Sequence, residues 1–204
     1  MLFNKTKAKA AFEVAQRIKE HKDLYCLAAD KIPVSIDDLA YVVSDMYGLR
    51  IEVNDVDFQA EFIRGMVERF KDGSARISIR REMSKDLKRF VTAKELCQLA
   101  ISTDDDWSTE GTKTLEAMAF SGTLANGGQY DPAKFDLPVQ SEYLAEIAAY
   151  EVLYPHEFRA HDRSELASGA RTLKSLANHY DVPVFVVSSA IGERFEAFRR
   201  ASLA

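Results

Sequence analysis

The dipeptide Asp72-Gly73 is the strongest constraint on how this chain folds, because it predicts a tight turn between two strand-forming segments. Gly65-Met-Val-Glu-Arg-Phe70 precedes the turn and Ala75-Arg-Ile-Ser-Ile79 follows it. Both segments are rich in residues that favour β-strands, so we expect a β-hairpin. Leu49-Arg-Ile-Glu-Val53 alternates apolar and polar residues and predicts a third strand. These segments together predict a small antiparallel sheet.

The rest of the chain is dominated by helical periodicity. Apolar residues at helical spacing predict helices at residues 5–21, 35–46, 84–101, 137–154, 164–180 and 183–198. The second helix has a capping hydroxyl at Ser35 and a stop signal at Gly48. The last two helices form a predicted C-terminal helical pair within residues 164–200. We therefore expect an α+β fold, a single and mostly helical domain over residues 1–204.

Acidic residues are concentrated in one segment. The chain has a net charge of −5, and residues 103–136 contain seven acidic and two basic side chains, so the remainder is close to neutral. A broad basic surface for nucleic acid is therefore not expected, and nucleic acid is an unlikely partner. We interpret residues 103–136 as an acidic insertion with one helix near residues 112–121.

The sequence also carries information on the cellular compartment. It has no run of about 18 apolar residues, so no membrane span and no membrane partner are expected. The first residues lack the apolar region of a secretory signal. Cys26 and Cys97 lie far apart in sequence and are interpreted as reduced thiols. These features predict a cytoplasmic protein.

The segment Lys94-Glu-Leu-Cys-Gln98 has the spacing of a zinc-peptidase motif without its histidines. In an H-E-x-x-H helix, two histidines one turn apart bind zinc, and the glutamate between them acts as general base on zinc-bound water. Here Glu95 occupies the general-base position, whereas Lys94 and Gln98 occupy the histidine positions. A protonated ammonium cannot bind zinc, and an amide is a poor zinc ligand.

Several further segments resemble, in the same order, the ImmA/IrrE-type metallopeptidase family. The segment from Glu142 to Pro155 is similar to the helix that carries the third ligand in that family. The hairpin ending at Ile79 and the following Arg89-Phe90 are similar to the stretch before the family's metal-binding helix. Residues 33–40 resemble the family's first capped helix, and residues 176–195 resemble its closing element.

This resemblance covers roughly residues 30–198 and implies a zincin-like fold. Members of the family are zinc endopeptidases that cut or inactivate repressor-type regulators, often encoded on phages and mobile elements. The resemblance places Glu142 at the third metal-ligand position. It therefore implies a degenerate site, with Glu95 as a vestigial general base and with Lys94, Gln98 and Glu142 at vestigial ligand positions. We expect no metal and no other cofactor there.

Lys94 shares its helix face with Leu87 and Val91 and is expected to point partly inward. A buried ammonium must find a partner or lose its proton. We therefore expect Lys94 to stand where the zinc would lie and to pair with Glu142, Glu95 or both. The alternative is that its aliphatic stem carries the ammonium to solvent.

Other potential ligands have both a functional and a structural interpretation. Cys97 could approach the same region, although a small buried thiol is the commoner case. The run Asp104-Asp-Asp106 could bind a hard cation, although a solvated loop is favoured. None of the histidines lies at ligand spacing from Glu95, so all are interpreted as non-catalytic; they are His21, His156, His161 and His179.

Three functions follow from these observations. The first is a metal-free relative of a zinc endopeptidase that binds a peptide or protein partner and acts in regulation, for example in phage or stress-response control. The alternative is an active metallopeptidase with zinc at an altered site that uses Glu95, Glu142 and a non-standard ligand, and that cleaves a repressor-type regulator. The third is a structural or assembly protein that uses the acidic insertion, residues 103–136, as a docking surface.

Overall fold

A computed structural model describes residues 5–21, 34–102 and 137–204. In chain order its elements are α1 Lys5–Glu20, α2 Ile36–Tyr47, β1 Arg50–Val56, β2 Gly65–Arg69, β3 Ser74–Arg80, α3 Lys85–Ile101, α4 Leu137–Leu153, α5 His156–Ala167, α6 Leu173–Tyr180, α7 Val184–Ala190 and α8 Glu193–Leu203. They confirm the α+β class, with a mostly helical chain and a small sheet. The acidic insertion with its predicted helix, the Asp104–Asp106 run and Cys26 lie outside the described residues.

Helix α2 has the ends that the sequence predicts. The Ser35 hydroxyl accepts a hydrogen bond from the backbone N–H of Asp37 at 3.2 Å, which satisfies a donor that the first helical turn leaves free. Gly48 follows the last turn with a φ of 62°, in the left-handed region where glycine avoids a Cβ clash. This sharp end directs the chain straight into β1.

The sheet is mixed rather than wholly antiparallel, so the prediction of an antiparallel sheet was wrong for β1. The strand order is β1-β3-β2. The β2–β3 hairpin is antiparallel as predicted, whereas β1 pairs with β3 in parallel, with Val53 opposite Ile77. Residues 57–64 carry the chain to the far side of β3, so β3 returns beside β1 in the same direction. Arg80 holds this crossing through a 2.8 Å hydrogen bond from its Nε to the carbonyl of Ile63.

Helix α3 is the centre of the core because it packs against the hairpin strands and also along α4. Ile77 of β3, Leu96 of α3 and Ile147 of α4 are all fully buried in this core. The rings of Phe90 and Tyr150 stack across the α3–α4 interface with centroids 5.7 Å apart. Within the described ranges, no helix has the combined length and apolar character that a bilayer crossing requires.

The C-terminal region differs from the predicted pair of helices at residues 164–200. The predicted helix 164–180 is broken, because Gly169 adopts a left-handed φ of 74° and Thr172 caps a new helix, α6. The predicted helix 183–198 is broken at Gly192, whose extended backbone starts α8. The region therefore consists of the end of α5 followed by the three shorter helices α6, α7 and α8.

Candidate functional site

Helices α3 and α4 bring three of the four predicted site residues together. Lys94 and Glu95 lie in the middle of α3, and Glu142 lies in the first half of α4. The two helices pack along each other, so Glu142 faces Lys94 across their interface. Small and apolar residues on both helices, such as Ala145 and Leu96, are fully buried and allow this close approach.

The Lys94 ammonium contacts both carboxylates. Its Nζ donates a hydrogen bond to Oε2 of Glu142 and lies 2.9 Å from Oε1 of Glu95. The side chain of Lys94 is 17% exposed, so the ammonium is held inside the protein and does not extend into solvent. The predicted pairing of Lys94 with Glu142 and Glu95 is confirmed, and the alternative in which Lys94 reaches solvent is not observed.

The charges of this cluster fix the protonation of Lys94. Burial alone would lower the pKa of the ammonium, because it removes water from the charged form. The negative charges of Glu142 and Glu95, together with the hydrogen bonds, outweigh this effect and place the pKa of Lys94 well above its ordinary value. Lys94 is therefore a fixed cation at neutral pH and not a nucleophilic amine.

Glu95 is the most deeply buried member of the cluster, with a side chain only 1% exposed. Burial raises the pKa of its carboxyl group to about 7, against the opposing effect of the Lys94 charge. Its contact with Lys94 is an ion pair, and within the described part of the chain neither carboxylate oxygen accepts a hydrogen bond of good geometry. Glu95 therefore holds its proton to a higher pH than an ordinary glutamate does.

The backbone of β2 at Gly65 lies directly against the side chain of Glu95. A Cβ atom on Gly65 would lie 2.8 Å from Oε1 of Glu95 and 2.5 Å from Cγ1 of Val91. Both distances are too short for real contacts, so this position of β2 requires glycine. Gly65 was not predicted as part of the site, because only the docking of the sheet on α3 brings it there.

A third carboxylate, Glu146, lies one helical turn after Glu142. Its side chain is buried and accepts a hydrogen bond of 2.5 Å from the Tyr150 hydroxyl. Burial raises the pKa of Glu146, and the nearby charge of Lys94 opposes the rise. Glu146 was not predicted as a site residue, although its spacing of four residues from Glu142 places it on the same helix face.

Gln98, the fourth predicted position, is not joined to the other three. Its side chain is buried, and its Oε1 has no hydrogen-bond partner among the described residues. Gln98 shares no hydrogen bond or ion pair with Lys94, Glu95 or Glu142 within the part of the chain that the structure describes. The second histidine position of the motif is therefore an isolated amide.

The residues present do not fit a zinc ion. Within residues 5–21, 34–102 and 137–204, no three His, Cys, Asp or Glu side chains are arranged to hold a metal ion. Lys94, which the resemblance predicts at the first ligand position, is a protonated cation that already binds the two carboxylates. Cys97 is fully buried, and burial raises the pKa of its thiol to about 12, so it remains an uncharged thiol. This finding favours the structural interpretation of Cys97.

The four histidines also lie apart from this cluster. Three of them face other carboxylates, and the fourth packs on an aromatic ring; the contacts are His21 with Asp45 at 2.9 Å, His156 with Glu196 at 3.5 Å, His161 with Glu165 at 3.6 Å, and His179 with the Tyr180 ring at 4.9 Å. None of these contacts involves Lys94 or its two carboxylate partners.

A second buried cluster surrounds Arg159 of α5 and was not predicted from the sequence. Arg159 is fully buried and forms ion pairs with Glu151 of α4 at 2.8 Å and Glu196 of α8 at 3.3 Å. Its Nη2 also donates to the carbonyl of Tyr154 at 2.6 Å. Glu151 sits in an otherwise apolar stretch of α4, and this was the available signal that a buried partner exists. The cluster joins α4, α5 and α8.

Comparison of the chain with models of protein families, with curated proteins and with solved structures found no match. The resemblance to the ImmA/IrrE-type family thus rests on the sequence motifs alone. The assignment of Glu95 as vestigial base and of Lys94, Gln98 and Glu142 as vestigial ligands stays a prediction. The contacts of Lys94 are properties of this structure and do not depend on it.

Proposed function

We propose that this chain is a non-catalytic, cytoplasmic relative of the ImmA/IrrE-type peptidases that binds a peptide or protein and acts as a regulator. The observation that carries the proposal is the Lys94 ammonium, which binds Glu142 and Glu95 in the region where the family resemblance would put zinc. One protein cation takes the place of a metal cation between the same carboxylates. The scaffold of the site is then retained while its chemistry is lost.

The loss of catalysis follows from the chemistry of the side chains. Peptide hydrolysis at such a site needs a metal that activates water and polarises the scissile carbonyl. A protonated lysine has no lone pair to offer a metal, and Gln98 offers only a weak amide oxygen. Glu95 could accept a proton near neutral pH, but the Lys94 ammonium cannot activate water as a Lewis-acidic metal would. The arrangement favours binding over hydrolysis.

Strand β2 supports the peptide-binding part of the proposal. It lies at one edge of the described sheet, and Gly65 places it directly beside Glu95. The carbonyl of Arg64 and the N–H of Phe70 bond to β3. Because bonding alternates along an antiparallel strand, Gly65, Val67 and Arg69 direct their backbone groups to the other side. An extended peptide could add to the sheet there.

We propose a repressor-type regulator in phage or stress-response control as the partner.

Metal analysis and a peptidase assay test the non-catalytic part. The purified chain is expected to contain well under one zinc per molecule after dialysis against zinc, and to cleave unstructured protein substrates no faster than its Glu95→Gln variant. Stoichiometric zinc that is lost in Glu142→Gln, or cleavage that is lost in Glu95→Gln, would establish the active metallopeptidase instead.

Peptide binding is tested by blocking the edge of β2. Arg69→Pro removes an outward N–H group without removing a hydrogen bond to β3, and Arg69→Ala is the matched control that keeps the N–H. Binding of fluorescent peptides from an unbiased library is expected to fall in Arg69→Pro and to persist in Arg69→Ala. Equal binding by both variants would rule out strand addition at this edge.

A further inference from the structure

A cleft of about 230 Å³ opens between α1, α4 and α8 and shares no lining residue with the Lys94 cluster. Phe12, Ala15 and Leu203 give it apolar walls, Lys19 and Arg199 bring positive charge, and the rest of its lining is Glu13, Gln16 and Glu151. Binding sites for small molecules typically combine apolar walls with a few polar groups that orient the ligand. The composition of this cleft therefore matches that of a ligand site.

The Arg199 guanidinium makes no hydrogen bond to the residues that the structure describes. Its side chain is 22% exposed, and its buried Nε makes no hydrogen bond within the described residues. The nearest carboxylate oxygen, Oε2 of Glu151, lies 3.6 Å from Nε, which is too long for a hydrogen bond. The guanidinium instead lies 6.0 Å from the centre of the Phe12 ring. It is positioned by packing, and its two Nη groups, unlike the buried Nε, are open to a ligand.

The charge balance leaves Arg199 only partly compensated. Glu151 directs its other oxygen to Arg159 at 2.8 Å, so it is shared between two guanidinium groups, of which Arg159 also pairs with Glu196. Lys19 does not depend on Glu151, because it binds both oxygens of Glu157 at 2.9 and 3.1 Å. The fork of N–H groups on Arg199 fits a carboxylate with two parallel hydrogen bonds. A carboxylate bound in the cleft would give Arg199 a hydrogen-bonded partner of its own.

We propose that this cleft binds a small organic acid as its carboxylate, with Arg199 holding the carboxylate and Phe12, Ala15 and Leu203 contacting a hydrocarbon body. The apolar walls favour such an ion over inorganic phosphate, whose strong hydration they cannot replace. The volume lies below the roughly 300–1,000 Å³ of sites for drug-sized ligands, so the ligand is small. The proposal is independent of the proposed function of the Lys94 cluster.

The test uses benzoate and hexanoate, with benzamide and hexanamide as neutral analogues, at pH 7 and constant ionic strength. Calorimetric titration is expected to show one site for the acids and none for the amides. At about tenfold excess over Kd, the acids should raise the melting temperature by roughly 2–6 °C. Arg199→Gln is expected to weaken binding about tenfold or more, because it removes the charge and the donor fork.

Arg200→Gln is the matched control, because Arg200 is the next residue on α8, is exposed and does not line the cleft. It should bind the acids as the unchanged chain does. Arg199→Lys keeps the charge without the fork and should bind with intermediate affinity, which preserves the test if Arg199→Gln fails to fold. The proposal is overturned if neither acid binds the unchanged chain, if the amides bind as well as the acids, or if both Arg199 variants bind them with unchanged affinity.

Discussion

Glu142 of α4 accepts a hydrogen bond from Lys94 of α3 across 48 residues of sequence. The contact bridges the two helices at the centre of the core, and the same ammonium lies 2.9 Å from Glu95. One cation thus stabilises two carboxylates, of which Glu95 is almost fully buried. Removing that cation would leave a buried acid without compensation, and this makes Lys94 the most sensitive point of the site.

Lys94→Met is expected to destabilise the protein by about 2–3 kcal/mol, because it leaves buried carboxylates unpaired while keeping the aliphatic stem. The free energy of unfolding in urea measures the effect. Lys88→Met is the matched control on the same helix, since Lys88 pairs with the half-exposed Asp55. That change should cost under about 1 kcal/mol. Equal losses in the two variants would contradict a structural role for the Lys94 cluster.

The double variant Lys94→His with Gln98→His is expected to bind one zinc ion. If the resemblance assigns the positions correctly, the two imidazoles and Glu142 form a three-ligand site that leaves one position open for water. Zinc content after dialysis and cobalt absorption spectra measure the gain. Adding Glu142→Gln should abolish it, and each single histidine variant should bind weakly. A double variant that folds but binds no zinc would refute the assigned ligand positions.

The pH dependence of stability is expected to report on Glu95. Burial raises its pKa in the folded chain to about 7, from an ordinary value of 4.5. The folded state then holds the proton more tightly, so the stability from this group is complete below about pH 4.5 and is lost as pH rises through about 7. The loss amounts to at most about 3 kcal/mol. Unfolding at several pH values should show this fall in the unchanged chain.

Glu95→Gln removes the titrating group and serves as the comparison. Its stability should decline less between pH 4.5 and pH 7.5 than that of the unchanged chain. Glu146 also has a raised pKa because of burial, so part of the decline should remain in the variant. Identical pH profiles for the two proteins would show that Glu95 does not exchange its proton in this range.

The sequence predicts the parts of the fold that depend on local contacts. Ser35 and Gly48 bound α2 as expected, because a capping hydroxyl and a left-handed glycine act within one turn. The parallel pairing of β1 could not be predicted, since it depends on the path of residues 57–64 around the hairpin. Gly169 and Gly192 interrupt two predicted helices. These breaks were not predicted because the apolar periodicity of the sequence continues across both glycines.

In the candidate site, too, some contacts were predicted from the sequence and others depend on how distant elements pack. The contacts of Lys94 with Glu142 and Glu95 were expected because the resemblance places a cation between these carboxylates. Gly65 was missed because it reaches Glu95 only through the docking of the sheet on α3. Arg159 was missed because its contacts depend on how α4, α5 and α8 pack together, although Glu151 is only 8 residues away.

Gly65→Ala is expected to destabilise the protein by about 1–3 kcal/mol, because the added methyl group overlaps Val91 and Glu95. Urea unfolding measures the loss. Val91→Ala should partly rescue Gly65→Ala, so the double variant should lose less stability than the sum of the two single losses. Additive losses would show that the chain relaxes around residue 65, and that the close approach of β2 to α3 is not a firm constraint.

Arg159→Met is expected to cost about 3–5 kcal/mol, because Glu151 and Glu196 would each lose a buried partner. Arg163→Met is the matched control on the same helix, since its side chain is 41% exposed and lies 3.5 Å from Glu196. That change should cost under about 1 kcal/mol. Arg159→Lys keeps the charge but cannot reach both carboxylates and the Tyr154 carbonyl, so we expect an intermediate loss. If Arg159→Met unfolds at the same urea concentration as Arg163→Met, the buried cluster does not hold α4, α5 and α8 together.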